Sequence, residues 1–516
     1  MPGAPATTYD ELPYDDHVFA FTHPATLATV AALHGLDPPA VGRCRVLELG
    51  CAAGANLLPM AVALPDGEFV GLDLSPRQVA RGRETAGRLG LTNLGLYARD
   101  ILAPTDDLGT FDYVICHGVY SWVPPAVQDR ILDVIGRQLA ADGLAYVSYN
   151  VYPGWHTRAI VRDLLTFHTA GGADPATRTG QARAYLNFLA TALPAGRTPY
   201  TAILRGEAET LRDEPDSYLF HEFLEADNRP VYFHQFAAAA AGHRLQYVAE
   251  AAPQPLPGHL PPEAVPTLAA LAGDRVRLEQ HLDFLRGRAF RRSLLCHAAA
   301  RPDWDGVAGR LPAFAVSSDA RPEGDGAGAD GREAFLTPTK LRFTTNDPAL
   351  RAALRHLWEA RPAAVPFADL VAAARGDGPA DDDLPRRLAD EVLQLYVGAV
   401  VELHRDPPAV AAVTGPRPTA SPLTRLQAAR GDARLHDLRH RSADPDPFAR
   451  YLLPLLDGTR DRGRLVEELA ARSAAGDFEV RDGGGPVTDP ARVRGVLAAW
   501  VEEALDRLAK AALLTA

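Results

Sequence analysis

Lysine is nearly missing from this chain. Of 516 residues only Lys340 and Lys510 are lysines, and arginine supplies the rest of the 53 basic side chains. No Lys/Arg cluster forms, and 65 acidic side chains bring the formal net charge to -12. A nucleic-acid partner, which needs a basic footprint to displace counterions, is not expected. Cysteine is also scarce. Cys44, Cys51, Cys116 and Cys296 lie far apart with no C-x-x-C pair, so neither a zinc site nor a disulfide framework is supported. Three of the four fall in or beside expected core strands, where a free thiol behaves as a small hydrophobe. No apolar run reaches membrane-spanning length, and the N-terminus lacks a basic region followed by an apolar one. These absences leave a cytoplasmic protein, without a membrane span, as the expectation. The length implies roughly two to four domains.

What is present centres on Arg45 to Asn56, R-V-L-E-L-G-C-A-A-G-A-N. An apolar run (Val46, Leu47, Leu49) stops at a glycine turn, which opens into a helical pattern through Leu57, Leu58, Met60 and Val62. Gly50 and Gly54 would let backbone approach a ligand that a Cβ would push away. The first helical amides favour an anionic or polar group. A dinucleotide loop needs G-x-G-x-x-G, and Ala52 stands where its second glycine belongs. An acidic residue, Glu48, sits on the strand end itself. The arrangement E-x-G-x-x-x-G resembles motif I of class I S-adenosylmethionine (SAM) methyltransferases. In that family the loop packs on the methionine part and the acidic residue orients it. A structural glycine turn in another α/β protein is the plain alternative at this point.

From Arg45 to Asn150 strands and helices alternate, which argues for a parallel sheet with helices on both faces and a ligand beyond the carboxyl strand ends. The expected strands are Arg45–Leu49, Glu68–Leu72, Leu94–Tyr97, Tyr113–His117 and Leu144–Tyr149. Helices are expected at Leu57–Ala63, Arg77–Leu89 and Ala126–Leu139, with Ser75 and Pro76 marking one start. Asp73, in G-L-D-L-S, follows the second strand 25 residues after Glu48. A carboxylate there can accept hydrogen bonds from both ribose hydroxyls. Asp100 and Ile101 follow the third strand and would hold an adenine edge and face. Either aspartate alone reads equally as a helix cap or solvated loop residue. Three acidic residues at successive strand ends point to an adenosine-type ligand.

The fourth strand runs into H-G-V-Y-S-W-V-P (His117 to Pro124) and the fifth into S-Y-N-V-Y-P-G-W-H (Ser148 to His156). These segments, with Y-D-E-L-P-Y (Tyr9 to Tyr14), T-H-P (Thr22 to Pro24) and E-L-G-C-A-A-G-A-N-L, resemble a bacterial methyltransferase family that carries a methyltransferase regulatory domain. Its best-known members are protein-lysine methyltransferases of outer-membrane proteins. The match is good over roughly the first 300 residues and looser beyond; Ala55 stands where a second glycine is common. The resemblance implies a seven-stranded Rossmann-like sheet closed by an antiparallel pair, expected at Leu245–Glu250 and Arg291–His297 behind a helix Tyr232–Ala241. It also implies SAM as cofactor and favours a lid role for the N-terminus, which otherwise would simply pack on the core.

The expected organisation is a lid at 1–40, a SAM-binding core at 41–156, a helical insertion at 157–231, the rest of the sheet at 232–300, a linker at 301–335 and a C-terminal winged-helix-like region at 336–516. Thr22 is the expected cap of a helix Ala25–His34. The insertion would contain Ala184–Leu193 and Asp216–Glu225, and would cover the active site or form a homodimer interface. His221 and Glu222 are adjacent and so point to different helix faces, which disfavours a metal pair. Ser317–Arg332 is rich in Gly, Asp and Ala, as linkers are. Beyond it, helices Pro348–Ala360 and Leu384–Leu393 precede a strand-like Tyr396–Leu403. Helices Arg464–Arg472 and Val493–Ala511 follow.

The cofactor-binding candidates are thus Glu48, Gly50, Cys51, Gly54, Asn56, Asp73, Leu74, Asp100, Ile101 and His117. The catalytic candidates are Tyr14, His117, Tyr120, Asn150 and Tyr152. Trp122, Tyr149 and Trp155 are also expected near the methyl group, although both tryptophans fit a core role. Tyrosine hydroxyls align an amine and aromatic faces tolerate its cationic product. His117 would contact the cofactor, act as a base, or bond only to backbone. The leading expectation is a SAM-dependent protein-lysine methyltransferase with a protein or peptide acceptor. A small-molecule or peptide-tailoring methyltransferase and a non-catalytic SAM-binding scaffold are the alternatives.

Overall fold

The run Arg45–Leu49 forms the central strand, β1, and every neighbour is set by its alternation. Val46 faces one apolar cluster, with Leu27, Val30, Leu57 and Met60, while Leu47 and Leu49 face another, with Ile131, Ile135, Phe233 and Phe236. Side chains of period two that bury both ways require helices on both faces of the sheet. Each large apolar side chain so buried contributes about 1.5–3 kcal/mol. The computed structural model describes residues 11–12, 17–172, 174–193, 198–253, 263–324, 326, 328, 331–376, 381–411, 413–483 and 485–515.

The other strands are β2 (Glu68–Asp73), β3 (Leu94–Ala98), β4 (Phe111–Cys116), β5 (Leu139–Asn150), β6 (Leu245–Glu250) and β7 (Phe290–His297). They lie in the order β3-β2-β1-β4-β5-β7-β6. The first five are parallel, and β7 runs antiparallel to both β5 and β6. The expected antiparallel pair is therefore present, behind the helix Phe233–Gly242. Ser75 caps the helix Pro76–Leu89 by accepting from the Gln78 amide at 3.1 Å, as its sequence position implies.

Four helices, Gly154–His168, Pro175–Ala192, Pro199–Leu211 and Asp216–Phe223, follow β5 and share a core of their own built on Leu165, Leu186, Leu204, Phe220 and Phe223. Helix Arg275–Arg286 is tied to β6 and β7 by buried Arg291, which reaches Asp283 and Glu250 at 2.8 Å and Glu279 at 2.9 Å. Among the described residues no helix is long and apolar enough to cross a membrane.

Three expectations need correction. Thr22 does not cap the first helix, Pro24–Leu33; His23 does, its Nδ1 accepting from the Ala25 amide at 3.1 Å, and Thr22 turns toward Asn56. The expected linker is partly built structure. Ala315–Ser317 is the middle of a three-stranded sheet with Val365–Pro366 and Glu402–His404, and Arg321–Pro322 pairs with Phe335 and Leu336. The strand expected at Tyr396–Leu403 is only Glu402–His404, because the helix Leu384–Val397 continues through Tyr396 and the chain turns at Ala399, whose φ is 56°.

The C-terminal region holds two apolar cores. One joins Leu311, Phe335, Leu354, Leu370, Leu388 and Val401, and takes in Leu33 from the first helix. The second is built on Leu435, Leu453, Leu465, Leu497, Val501 and Leu505. It is docked on the sheet domain: Leu423, on the helix Pro422–Arg430, packs with Leu58 and Ala86.

Candidate functional site

The acidic residues at the strand ends are neighbours in space because β1, β2 and β3 are adjacent. Glu48 lies opposite Gly71, and Asp73 lies opposite Ala98 two residues before Asp100. Glu48 is level with Gly71 and Leu96, so Asp73 and Asp100 lie successively farther along, at and beyond the carboxyl ends of β2 and β3, where sheets of this kind bind ligands.

Glu48 is buried. Its Oε1 accepts from Asn56 Nδ2 at 2.9 Å, while Oε2 is buried with no partner. Burial pushes the carboxyl up to about 7; Asn56 opposes the shift and the nearby Asp73 charge adds to it. A buried carboxylate oxygen left unpaired is costly, and a cationic ligand group would relieve it. Asp73 holds the glycine loop: Oδ2 accepts from the Ala52 amide and Oδ1 from the Ser75 amide, both at 2.8 Å. Leu74 beside it is 49% exposed, an apolar side chain open at the strand end. Asp100 is exposed and accepts from the Leu102 amide at 2.9 Å, with half-buried Ile101 against the sheet core.

The loop glycines have a reason beyond ligand approach. Gly50 has φ +78°, and a Cβ there would sit 2.4 Å from Val119 Cγ2. Gly54 has φ +71° and meets Leu96. Cys51 is buried, its Sγ facing Gly71, so it packs the loop onto β2. Asn56 is buried and, rather than capping its own helix, turns its amide to Glu48 and Thr22.

His117 ends β4. Its Nδ1 faces the Tyr146 hydroxyl at 2.9 Å and Ser148 Oγ at 3.1 Å, and Ser148 Oγ also accepts from the Gly118 amide. The Phe19 ring lies over the imidazole with centroids 4.0 Å apart. Burial, with the Arg292 and His17 charges, lowers its pKa to about 3. Burial thus favours the neutral ring. The segment around Phe19 and Phe21 thus packs on the core and covers this strand end.

Tyr120 departs from expectation. It is buried among core side chains, edge-on to Tyr149 and Phe236, and burial raises its hydroxyl to about 12. Tyr149 likewise stacks on Phe236 and bonds Ser293. Tyr149 shares with Ala145 and Val147 the face of β5 that packs with Phe233 and Phe236. Trp155 is fully buried, packed edge-on against Trp122. Asn150, buried at the end of β5, donates from Nδ2 to Asn228 Oδ1 at 3.3 Å, and its own amide donates to Ser121 Oγ at 2.8 Å. Tyr152 is half-buried, stacked on His156 at 4.2 Å with Tyr232 at 5.3 Å. Tyr14 lies outside the described residues. His221 does not face a metal: Nε2 donates to the Leu12 carbonyl at 2.6 Å and Nδ1 meets Glu225.

The sequence reading missed Phe19, Tyr146 and Ser148 around His117, Asn228 beside Asn150, and His440, whose Nε2 lies 2.8 Å from Asn56 Oδ1. Ser148 stands inside the quoted S-Y-N segment and was within reach. His440 carries no local signal.

A glycine loop after β1, an orphaned buried carboxylate oxygen on that strand and a second carboxylate ending β2 fit SAM, and with the 3-2-1-4-5-7-6 sheet they define a class I SAM-dependent methyltransferase. Family models agree along the chain: "Methyltransferase domain" matches residues 41–183, "Predicted methyltransferase regulatory domain" 215–297, and "PKMT, C-terminal winged helix domain" 416–513. The uncharacterized protein RP789 of Rickettsia prowazekii (strain Madrid E) is 32% identical over 98% of this chain and 93% of its own length. RP028 of the same organism is 39% identical over 45% of this chain and 93% of its length. The solved structure of PKMT2 from Rickettsia typhi in complex with AdoHcy has a TM-score of 0.88 at 29% identity, covering 98% of this chain and 100% of that one. The chain belongs to this family of SAM-dependent methyltransferases, which join a methyltransferase domain, a regulatory domain and a PKMT-type winged helix.

Proposed function

We propose that the protein is a protein-lysine N-methyltransferase that transfers the methyl group of SAM in line to a neutral amine. The observation that carries this reading is the end-to-end similarity to PKMT2, a PKMT solved with AdoHcy, including the PKMT-type winged helix. Bound SAM supplies an electrophilic methyl group. The chain's own residues bind and orient: Glu48 takes the ammonium of the methionine part, Asp73 the ribose hydroxyls, and Leu74, Asp100 and Ile101 the adenine. Gly50, Cys51, Gly54 and Asn56 hold the loop that presents them, and His117 under Phe19 shapes the cofactor side of β4.

On the acceptor side, Tyr152 with His156 and Tyr232 forms an aromatic group at the end of β5, next to Asn150 and Asn228. Aromatic faces accommodate the cationic methylated product. Tyr14 is the further candidate there. The amine gives up its proton to water before transfer, because only the neutral form carries the lone pair that attacks the methyl group. Holding the reactants in line supplies on the order of 7–11 kcal/mol in favourable cases. The reading includes a homodimer through the helical insertion, which exposes Phe167 and Phe188; sedimentation at two concentrations checks it.

The test is methyl transfer from radiolabelled SAM to protein extract, native or with its lysines blocked by acetylation. Label in native protein that disappears on blocking supports the lysine reading. Label confined to small molecules or short peptides would replace it with a tailoring activity.

A further inference from the structure

We infer that His440, carried by the winged-helix module, is a positioning residue for the cofactor site: it fixes the Asn56 amide so that Nδ2 points at Glu48. This rests on the reading of Glu48 as the cofactor's acidic contact.

Asn56 is the meeting point of three parts of the chain. Its Oδ1 accepts from the Phe19 amide at 3.2 Å and from His440, in the tautomer protonated at Nε2, at 2.8 Å, while the Thr22 hydroxyl donates to the Phe19 carbonyl at 2.8 Å. Its Nδ2 donates to Glu48 Oε1 at 2.9 Å and to Thr22 Oγ1 at 3.0 Å. Turning the amide over would set its NH₂ against the donors of Phe19 and His440, and its oxygen against a carboxylate. The amide therefore has one orientation, and the shortest contact that enforces it comes from His440. With Oε1 engaged by Asn56, Glu48 presents Oε2, the atom left without a partner.

His440 is held both by its own module and by the sheet that precedes it in the chain. It sits at the tip of the hairpin Leu435–His436/Ser442–Ala443, with φ at 59°, a conformation that side-chain-bearing residues rarely adopt. Asp437 ties the tip by accepting from the Arg439 and Arg441 amides at 2.9 and 2.8 Å. Arg439 and Arg441 both pair with Asp319, and Arg441 also pairs with Glu402. The groups facing the imidazole are His23, at 5.2 Å between ring centroids, and His436; with burial they keep it neutral. Leu423 on Leu58 and Ala86, the bond from Arg430 to Thr85 at 3.2 Å, and the contact of Arg434 with His17 at 3.1 Å seat the module on the cofactor domain.

The test is SAM binding by isothermal titration calorimetry on the full chain. His440→Ala and the ring-sized, donor-free His440→Phe should each weaken SAM roughly tenfold, the size of one buried hydrogen bond left unmade. His440→Gln, whose amide keeps a neutral donor, should recover most of the loss. In an Asn56→Ala background, His440→Ala should add less than about twofold, because the two act as a unit. Full additivity, unchanged binding in the Ala and Phe variants, or a Gln variant as weak as Ala would overturn the inference. Wild-type protein that binds no SAM would overturn the cofactor reading with it.

Discussion

Replacing Glu48 by glutamine should stabilise the protein without ligand while weakening its hold on SAM. The carboxyl is buried, Oε2 has no partner, and its pKa stands at about 7 against an ordinary 4.5. A shift of that size means the folded state disfavours the charged form by about 3 kcal/mol at most. The sign follows from linkage. A carboxyl raised on folding contributes stability that is full below its unfolded value and lost as pH rises through 7. Glu48→Gln removes that loss, so its gain in melting temperature should be clear at pH 8 and vanish near pH 4.5. The amide oxygen of the substituted side chain can still accept from Asn56, so the loop survives. SAM binding instead loses a charge-assisted contact, about 1.5–3 kcal/mol or roughly 10- to 150-fold. In wild type the same linkage makes SAM bind more tightly as pH rises from 6 to 8, with proton release on binding below pH 7. Thermal melts from pH 4.5 to 8 and calorimetry in buffers of different ionisation heat measure both. A variant less stable at pH 8 with unweakened SAM binding would refute the reasoning.

Other substitutions probe the remaining parts. Asp73→Ala removes the acceptor for the Ala52 and Ser75 amides as well as the ribose contact, and SAM binding should fall roughly 10- to 100-fold by calorimetry. Gly50→Ala places a Cβ against Val119 Cγ2 in a left-handed residue and should cost about 2–4 kcal/mol in chemical denaturation. Adding Val119→Ala should restore the steric part and leave the backbone part. His117→Asn should leave the shape of the rate–pH profile between pH 6 and 9 unchanged, because burial lowers the imidazole pKa to about 3; loss of a limb would mark it as the base.

The parallel sheet was legible because its signals are local: short apolar runs, glycine and Ser-Pro punctuation, and carboxylates at or just beyond the ends of β1, β2 and β3. Glu48, Asp73 and Asp100 were singled out by the motif-I spacing and by their places at successive strand ends, and the strand order makes those ends neighbours. Tyr120 and Tyr149 were misplaced because both faces of this sheet are covered, and composition near a strand end does not say which rings are enclosed there. Phe19 over His117 was beyond reach because a short irregular segment has no periodicity to read. His440 lies 384 residues from Asn56 and meets it only after three packed bodies assemble. No local pattern encodes that contact.

The most direct measurement is a crystal structure of the protein with S-adenosylhomocysteine. The amino group is expected within about 3.2 Å of Glu48 Oε2 and the ribose hydroxyls on Asp73. A nucleoside bound away from the ends of β1 and β2, or Glu48 Oε2 still without a partner, would contradict it.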